Sequence, residues 1–304
     1  MTKYKLATYE SDNGPRAGII VGDTVFDAAT LTDQPTYSSV LRILEDWTRA
    51  KDMLAAAAQK TGAGWKLSET HLRAPVLYPP AIYCAGANYR DHAMEMAKRL
   101  NRPLDPDPKL NGGKPWFFLK ASRSVTDPGA TVAATHYCKN LDWEVELAAI
   151  IGTPGKNIRA EDALKHVAGY TIANDLSARE LGRRAEAAAG SPFSFDWTMQ
   201  KSFDGACPVG PWIVPADDIP DPQNLAMKLW VNDVIKQDSN TAEMIFTLAE
   251  QIAQLSISMT LYPGDLILTG TPAGVGQGRS EFLKAGDVVK LEIDGLGTLT
   301  NRIA

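Results

Sequence analysis

Apolar residues along this chain follow two spacings, and the order in which those spacings occur predicts the architecture. Lys3–Glu10, Arg16–Val21 and Thr24–Phe26 read as short strands, with Gly22-Asp23 as a tight hairpin turn. Helical spacing follows from Tyr37 to Lys60, ends in the alanine run Ala55–Ala58 and is stopped by Gly62. The segment His71–Pro80 holds Pro75, Pro79 and Pro80 and reads as a link. Beyond Ile82 strand-like runs dominate: Trp116–Lys120, Trp143–Ile151, His166–Ala173, Val209–Val214, Met227–Val231, Leu266–Thr269, Val288–Ile293 and Leu299–Ile303. Asn232-Asp233 and Asp294-Gly295 look like hairpin turns. One long helix interrupts the strands. Met244, Ile245, Leu248, Ala249, Ile252 and Leu255 keep its helical spacing, and Asn240 and Glu243 look like its N-cap and N3 pair. Many strands and few helices predict an α+β fold, not a doubly wound sheet. The chain divides into a small N-terminal α/β domain, residues 1–75, and a strand-rich domain, residues 76–304.

Composition narrows the function by exclusion. The 304 residues carry a formal net charge of −5 with both signs well mixed, so neither nucleic acid nor an anionic membrane is an expected partner. No apolar run approaches the length of a membrane helix. The start, Met1-Thr-Lys-Tyr-Lys5, leads into a strand and not a signal peptide. Cys84, Cys138 and Cys207 have neither metal-ligand spacing nor a disulfide framework, so reduced thiols in a cytoplasmic protein are expected. Cys84 reads as a small buried filler.

Candidate chemistry concentrates in Glu144-Val145-Glu146, inside an apolar run bounded by Gly152. Side chains alternate faces along a strand, so the two glutamates point the same way. Two buried like charges repel unless a proton or cation lies between them. The other reading places one of them in solvent on an edge strand. Asp175 ends a second apolar segment, and three carboxylates without thiolate or imidazole suit a hard divalent ion, Mg²⁺ or Mn²⁺. Asp91–Leu100 reads as a short helix capped by Asp91, with His92 and Glu95 on one face. A carboxylate beside an imidazole makes a general base; alternatively Glu95 pairs with Arg99 on a wet surface. The segment 101–115 is rich in proline and glycine and reads as irregular, either a linker or a lid. Arg179, four after Asp175, either holds a ligand carboxylate or pairs with Asp175 or Glu180. In Gly270-Thr-Pro-Ala-Gly-Val-Gly276 the glycines let backbone approach a ligand and Thr271 offers a hydroxyl. No phosphate-loop lysine closes this run, and at most a short helix over Ser280–Lys284 follows it. His136 and His166 read as structural.

Five stretches occur in a telling order: Cys84-Ala-Gly-Ala-Asn-Tyr-Arg-Asp-His-Ala-Met-Glu-Met96, Glu144-Val-Glu146, Asn174-Asp-Leu-Ser-Ala-Arg179, Lys201-Ser-Phe-Asp-Gly205 and Leu268-Thr-Gly-Thr-Pro-Ala-Gly-Val-Gly276. With them the chain, over about residues 76–304, resembles the fumarylacetoacetate hydrolase family. The resemblance implies a homodimeric enzyme of small oxo acids, with residues 76–304 as its catalytic domain. It implies Glu144, Glu146 and Asp175 as metal ligands, His92 and Glu95 as the water-activating pair, and Lys201 as the cation beside a developing enolate. Arg179, Gly270 and Thr271 would contact substrate. Family members acting on acylpyruvates often carry Gln seven residues after the metal aspartate. Here Gly182 stands there, followed by Arg183 and Arg184; an arginine there suggests a second substrate carboxylate, and the alternative is that both arginines simply face solvent. The implied function is metal-dependent hydrolysis of a C–C bond in an acylpyruvate-type 2,4-dioxo acid, such as maleylpyruvate or fumarylpyruvate, in aromatic-compound catabolism. One alternative is decarboxylation of oxaloacetate or a related 2-oxo diacid. Another, of a different class, is a non-enzymatic divalent-ion-binding module.

Overall fold

The computed structural model describes residues 3–60, 62–134, 136–188 and 190–304. Met1 and Thr2, on which the expectation for the chain start rests, lie outside the described residues. The fold is a mixed, strand-rich α+β structure. Its main sheet has twelve strands. From one edge the order is Trp65–Lys66, Thr24–Asp27, Gly14–Val21, Lys5–Ser11, Cys207–Pro215, Val167–Asn174, Val145–Ile151, Leu266–Leu268, Ile82–Ala85 and Phe117–Lys120. Leu72–Arg73 and Val125–Thr126 pair off this path. A second, five-stranded sheet runs Val234–Asn240, Ala226–Val231, Val288–Ile293, Gly297–Ile303 and Thr131–Val132.

The centre of the main sheet is dry. Val145–Ile151 and Val167–Asn174 are buried at every position, which is why both read as continuous apolar runs. Alternation then assigns faces. Leu147, Ala149 and Ile151 join one core cluster, with Trp143, Tyr170 and the helix residues Leu248, Ile252 and Leu255. Ala148 and Ile150 join the other, with Val40, Ile43, Leu44, Trp47 and Leu54 of the N-terminal helices. Glu146 has the parity of Ala148 and Ile150, so it lies on that second face at the strand's entry. Each leucine, isoleucine or valine side chain buried in this way contributes roughly 1.5–3 kcal/mol, and each alanine less.

Several expected elements shift, each for a local reason. The helix over Tyr37–Lys60 is two helices, Val40–Glu45 and Trp47–Ala57, broken at Asp46, whose carboxylate accepts the Tyr37 hydroxyl at 2.6 Å. The long helix begins at Leu248, capped by Thr247 and Glu250, while Asn240 caps only a short turn over Thr241–Glu243. Asn88 causes the delay: its carbonyls take the N–H groups of Ile245 and Phe246 at 2.7 and 2.9 Å. The helix expected at Asp91–Leu100 spans Arg90–Arg99 with Tyr89 at its N-cap. Asp91 instead accepts the Ser239 hydroxyl at 2.6 Å. The strand Val234–Asn240 was hidden by its largely polar, partly exposed sequence. The segment 101–115 contains one regular turn, Pro108–Asn111, and the helix after the glycines lies at Gly276–Arg279 instead of Ser280–Lys284.

Candidate active site

The chain does not run from Leu141 to Ile151 as one strand. It pairs at Leu141–Asp142, breaks, and resumes at Val145. Glu144 therefore sits in the break. Its N–H donates to Asn174 Oδ1 at 3.0 Å and its carbonyl accepts the Asp175 N–H at 2.9 Å. Trp143 anchors the same break, donating its indole N–H to the Gly274 carbonyl at 3.0 Å. The two glutamates still converge. Glu144, Glu146 and Asp175 are buried and each offers one oxygen, all within 4.8 Å of one another. The edge-strand alternative fails, because Val145–Ile151 has a neighbour on each side.

Three cations surround the triad. Lys201 Nζ lies 2.9 Å from Glu144 and 2.5 Å from Asp175, and Lys120 Nζ lies 2.6 Å from Asp175. Arg179 donates to Asp142 at 2.8 Å and to Glu144, so its partner is neither Asp175 nor Glu180. Glu180 is occupied by the N–H of Lys139. Glu146 has the Gly270 N–H at 2.7 Å and, among the described residues, no cation. The consequences differ. Burial would raise the Glu144 carboxyl, but Lys201 and Arg179 prevail and bring it down to about 2. Burial, then Asp175 and Glu144, push the Glu146 carboxyl well above the usual range. Four carboxyl groups (Asp142, Glu144, Glu146 and Asp175) face three cations, and among the described residues Glu146 is the one left without a cationic partner. Oxygen donors at this spacing, one of them without a cation, fit a divalent metal ion.

Lys120 and Asp142 were not foreseen. Lys120 ends the strand Phe117–Lys120 with its side chain buried, and Asp142 also takes the N–H groups of Gly276 and Gln277 at 2.6 and 3.0 Å. A lysine closing an apolar strand was the available signal.

His92 lines the same cavity, which measures about 170 Å³. Its Nδ1 faces Glu95 at 3.6 Å, is buried and makes no hydrogen bond. That leaves Nε2 as the ring nitrogen available to the cavity. Glu95 does not pair with Arg99, which reaches Ser280 instead. Both Glu95 oxygens accept the Gly274 N–H at 3.0 Å. Burial favours a higher pKa for Glu95, yet His92 and Gly274 more than offset it and hold the carboxyl below its ordinary value. Gly270 and Thr271 serve the frame. Gly270 has φ +98° and a Cβ there would lie 2.9 Å from Asn88 Cβ. The Thr271 hydroxyl donates to Val145 O and accepts from Gln237, both at 2.9 Å, while the residue also lines the cavity. Arg183 and Arg184 are exposed and do not line the cavity. Gly182 packs against Gln200, the chain turns outward after it, and Arg184 pairs with Asp196. This placement agrees with the reading in which both arginines face solvent. Cys84 is buried as expected, and His166 binds the Thr153 carbonyl at 2.9 Å.

A strand-rich α+β fold with a buried acidic triad, ringed by lysine and arginine and faced by a histidine, defines the class. The chain belongs to the fumarylacetoacetate hydrolase family: residues 81–304 match the family model described as fumarylacetoacetate (FAA) hydrolase C-terminal. It is 41% identical to oxaloacetate tautomerase FAHD2B, mitochondrial, of Homo sapiens, over 82% of this chain and 74% of that protein. It superposes on fumarylacetoacetate hydrolase from psychrophilic Exiguobacterium antarcticum with a TM-score of 0.80 and 32% identity, covering 99% of each chain. It also superposes on maleylpyruvate hydrolase from Sphingobium sp. SYK-6, a complex with manganese(II) and pyruvate. There the TM-score is 0.75, with 31% identity over 99% of this chain and 98% of that one. Members of this family are enzymes. Among the described residues, no helix is long and apolar enough to cross a membrane.

Proposed function

We propose that this chain is a metal-dependent enzyme of small 2-oxo acids, and that its reaction is proton transfer at the carbon beside the oxo group, interconverting keto and enol oxaloacetate. The observation that carries it is Glu146, the carboxylate of the buried triad without a cation, in a cavity that also holds His92. Glu144, Glu146 and Asp175 would hold Mg²⁺ or Mn²⁺. Such an ion, when bound, polarises an oxo oxygen as a Lewis acid.

The chain's own residues do the rest. Lys201 places its ammonium between Glu144 and Asp175, where it offsets negative charge developing on a substrate oxygen. His92 Nε2 takes the proton and returns it. Glu95 faces Nδ1 at 3.6 Å, and a small closure on binding completes that bond and fixes the tautomer. Arg179 is a positioning residue, holding Glu144 and Asp142. The cavity of about 170 Å³ is well below the roughly 300 Å³ at which sites for drug-sized ligands begin, which suits a four-carbon acid. The human relative, an oxaloacetate tautomerase, supports the same substrate.

Hydrolysis of an acylpyruvate C–C bond is a second reading, favoured by the His92–Glu95 pair, which suits water activation equally, and by the maleylpyruvate hydrolase neighbour. Ultraviolet absorbance of enol oxaloacetate separates the two. Protein with Mg²⁺ should speed its ketonisation, a chelator should abolish the effect, and His92→Ala should slow it about 10²–10⁴-fold. Pyruvate release from an acylpyruvate with no effect on the enol would replace tautomerisation by hydrolysis. Pyruvate and CO₂ from oxaloacetate would mark the decarboxylase. A homodimer in the cytoplasm belongs to the same proposal.

A further inference from the structure

The cavity has two unlike walls, and the reaction above uses only the charged one. The other is aromatic. Phe118 and Trp197 stack with centroids 4.9 Å apart and planes within 14°. Trp116 packs on Trp197 at 5.3 Å, and Phe195 backs Trp197 at 4.5 Å. Two distant chain segments thus meet here through rings. Trp116 and Trp197 remain 44% and 39% exposed although both line the cavity. Large flat rings left half in water beside a charged site are surface that a ligand face would cover.

The place of Trp116 is made by the sequence. A Cβ at Gly86 would lie 2.0 Å from the Trp116 ring, so any side chain there displaces the indole. Gly86 N–H also donates to the Trp116 carbonyl at 3.1 Å. Lys201 Nζ lies 5.2 Å from the Phe118 centroid and joins the two walls. The lining cations, Lys201 and Arg179, are both engaged by Asp142, Glu144 and Asp175. With Arg183 and Arg184 outside the cavity, the lining beyond the triad and its two cations includes His92 and the rings. Shape, more than charge, then selects that end.

Resting on the proposed binding of a metal and a 2-oxo acid, we propose that Trp116, Phe118 and Trp197 form a flat wall that sets substrate class. It admits 2-oxo acids whose chain beyond the oxo carbon lies in one conjugated plane, as in an enol or a 2,4-dioxo enol. It rejects acids that are tetrahedral and branched at that position. Because the wall fits the planar form, it also favours the enol side of a proton transfer.

Calorimetric binding to Mn²⁺-loaded protein tests this with three probes: oxalate, which has no tail; acetylpyruvate, whose conjugated enol form is flat; and 3,3-dimethyl-2-oxobutanoate, which is branched and cannot enolise. Wild type should prefer the flat acid over the branched one by about tenfold, the scale of one stacked ring. Trp197→Leu and Trp116→Leu keep apolar volume but remove the plane, and should bring the ratio near one with oxalate affinity unchanged. Gly86→Ala, which displaces the Trp116 ring without removing it, should act in the same direction. A ratio that survives all three variants, or is near one in wild type while oxalate binds, overturns the wall. Loss of oxalate binding in all three variants makes the rings structural and overturns it too. Failure of oxalate to bind wild type overturns the metal and oxo-acid reading, and the wall with it.

Discussion

Glu146 and Asp265 are both buried carboxyl groups pushed upward in pKa, and their surroundings give the two shifts different meanings. Around Glu146 the cause beyond burial is neighbouring negative charge, which a bound cation would relieve. Glu146→Gln keeps an oxygen for the Gly270 N–H but removes the charge. It should abolish metal-dependent turnover. In chelator-treated protein it should raise stability by on the order of 1–3 kcal/mol, read as a higher urea midpoint. A lower midpoint would count against the charge argument. Around Asp265 burial dominates, the Tyr262 N–H opposes it, and the carboxyl is raised from 3.8 to about 6. A raised acid stabilises the fold below its unfolded pKa, and that contribution is lost as pH rises through about 6. Asp265→Asn should therefore melt higher than wild type well above pH 6, with the gain vanishing towards 3.8. A gain independent of pH would remove that explanation.

Helix Leu248–Ser258 and the loop 101–115 meet at one side chain. Glu250 accepts the Thr247 N–H at 2.7 Å to close the helix cap and pairs with Lys109 at 2.7 Å. Both members of the ion pair are over a third exposed, so it contributes little by itself, and the cap carries most of the stabilisation. Glu250→Ala should cost about 1 kcal/mol and free the loop. Hydrogen exchange across residues 101–114 should speed up in this variant more than in the sheet. In wild type, oxalate with Mn²⁺ should slow the same segment if the loop closes over a ligand. Exchange in 101–114 that responds to neither change would make the loop a linker.

Across the whole molecule, the proposed division at residue 75 separates parts of one core. Leu6 pairs with Ile213, and Val40, Ile43 and Leu44 pack in the cluster of Ala148 and Ile150. Residues 76–304 produced alone should lack a cooperative melt, because one face of the central sheet would be stripped. Val132, Tyr137, Leu181, Met199 and Phe203 line a concave face of about 890 Å³ that suits the proposed homodimer. Light scattering should give twice the mass of one chain, and Met199→Glu should shift it towards one.

What the sequence determined by itself was whatever depends on local period and local chemistry. Apolar spacing located most strands of both sheets, and the alternation of Glu144 and Glu146 around Val145 brought two carboxylates together. That convergence survives although the strand breaks at Glu144, because Asn174 and Asp175 hold the break. Motif order supplied His92, Glu95 and Lys201. The partners come from packing, since single-sequence periodicity carries no record of contact across distance. Lys120 meets Asp175 over 55 residues, Arg179 meets Asp142 over 37, and Asn88 delays a helix start by holding Phe246, 158 residues away. The same limit left open whether Arg183 and Arg184 face the cavity or solvent and hid the rings of Trp116, Phe118 and Trp197 that line it. Proximity in sequence put the arginines near the site. The packing of Gly182 on Gln200 turned them away from it.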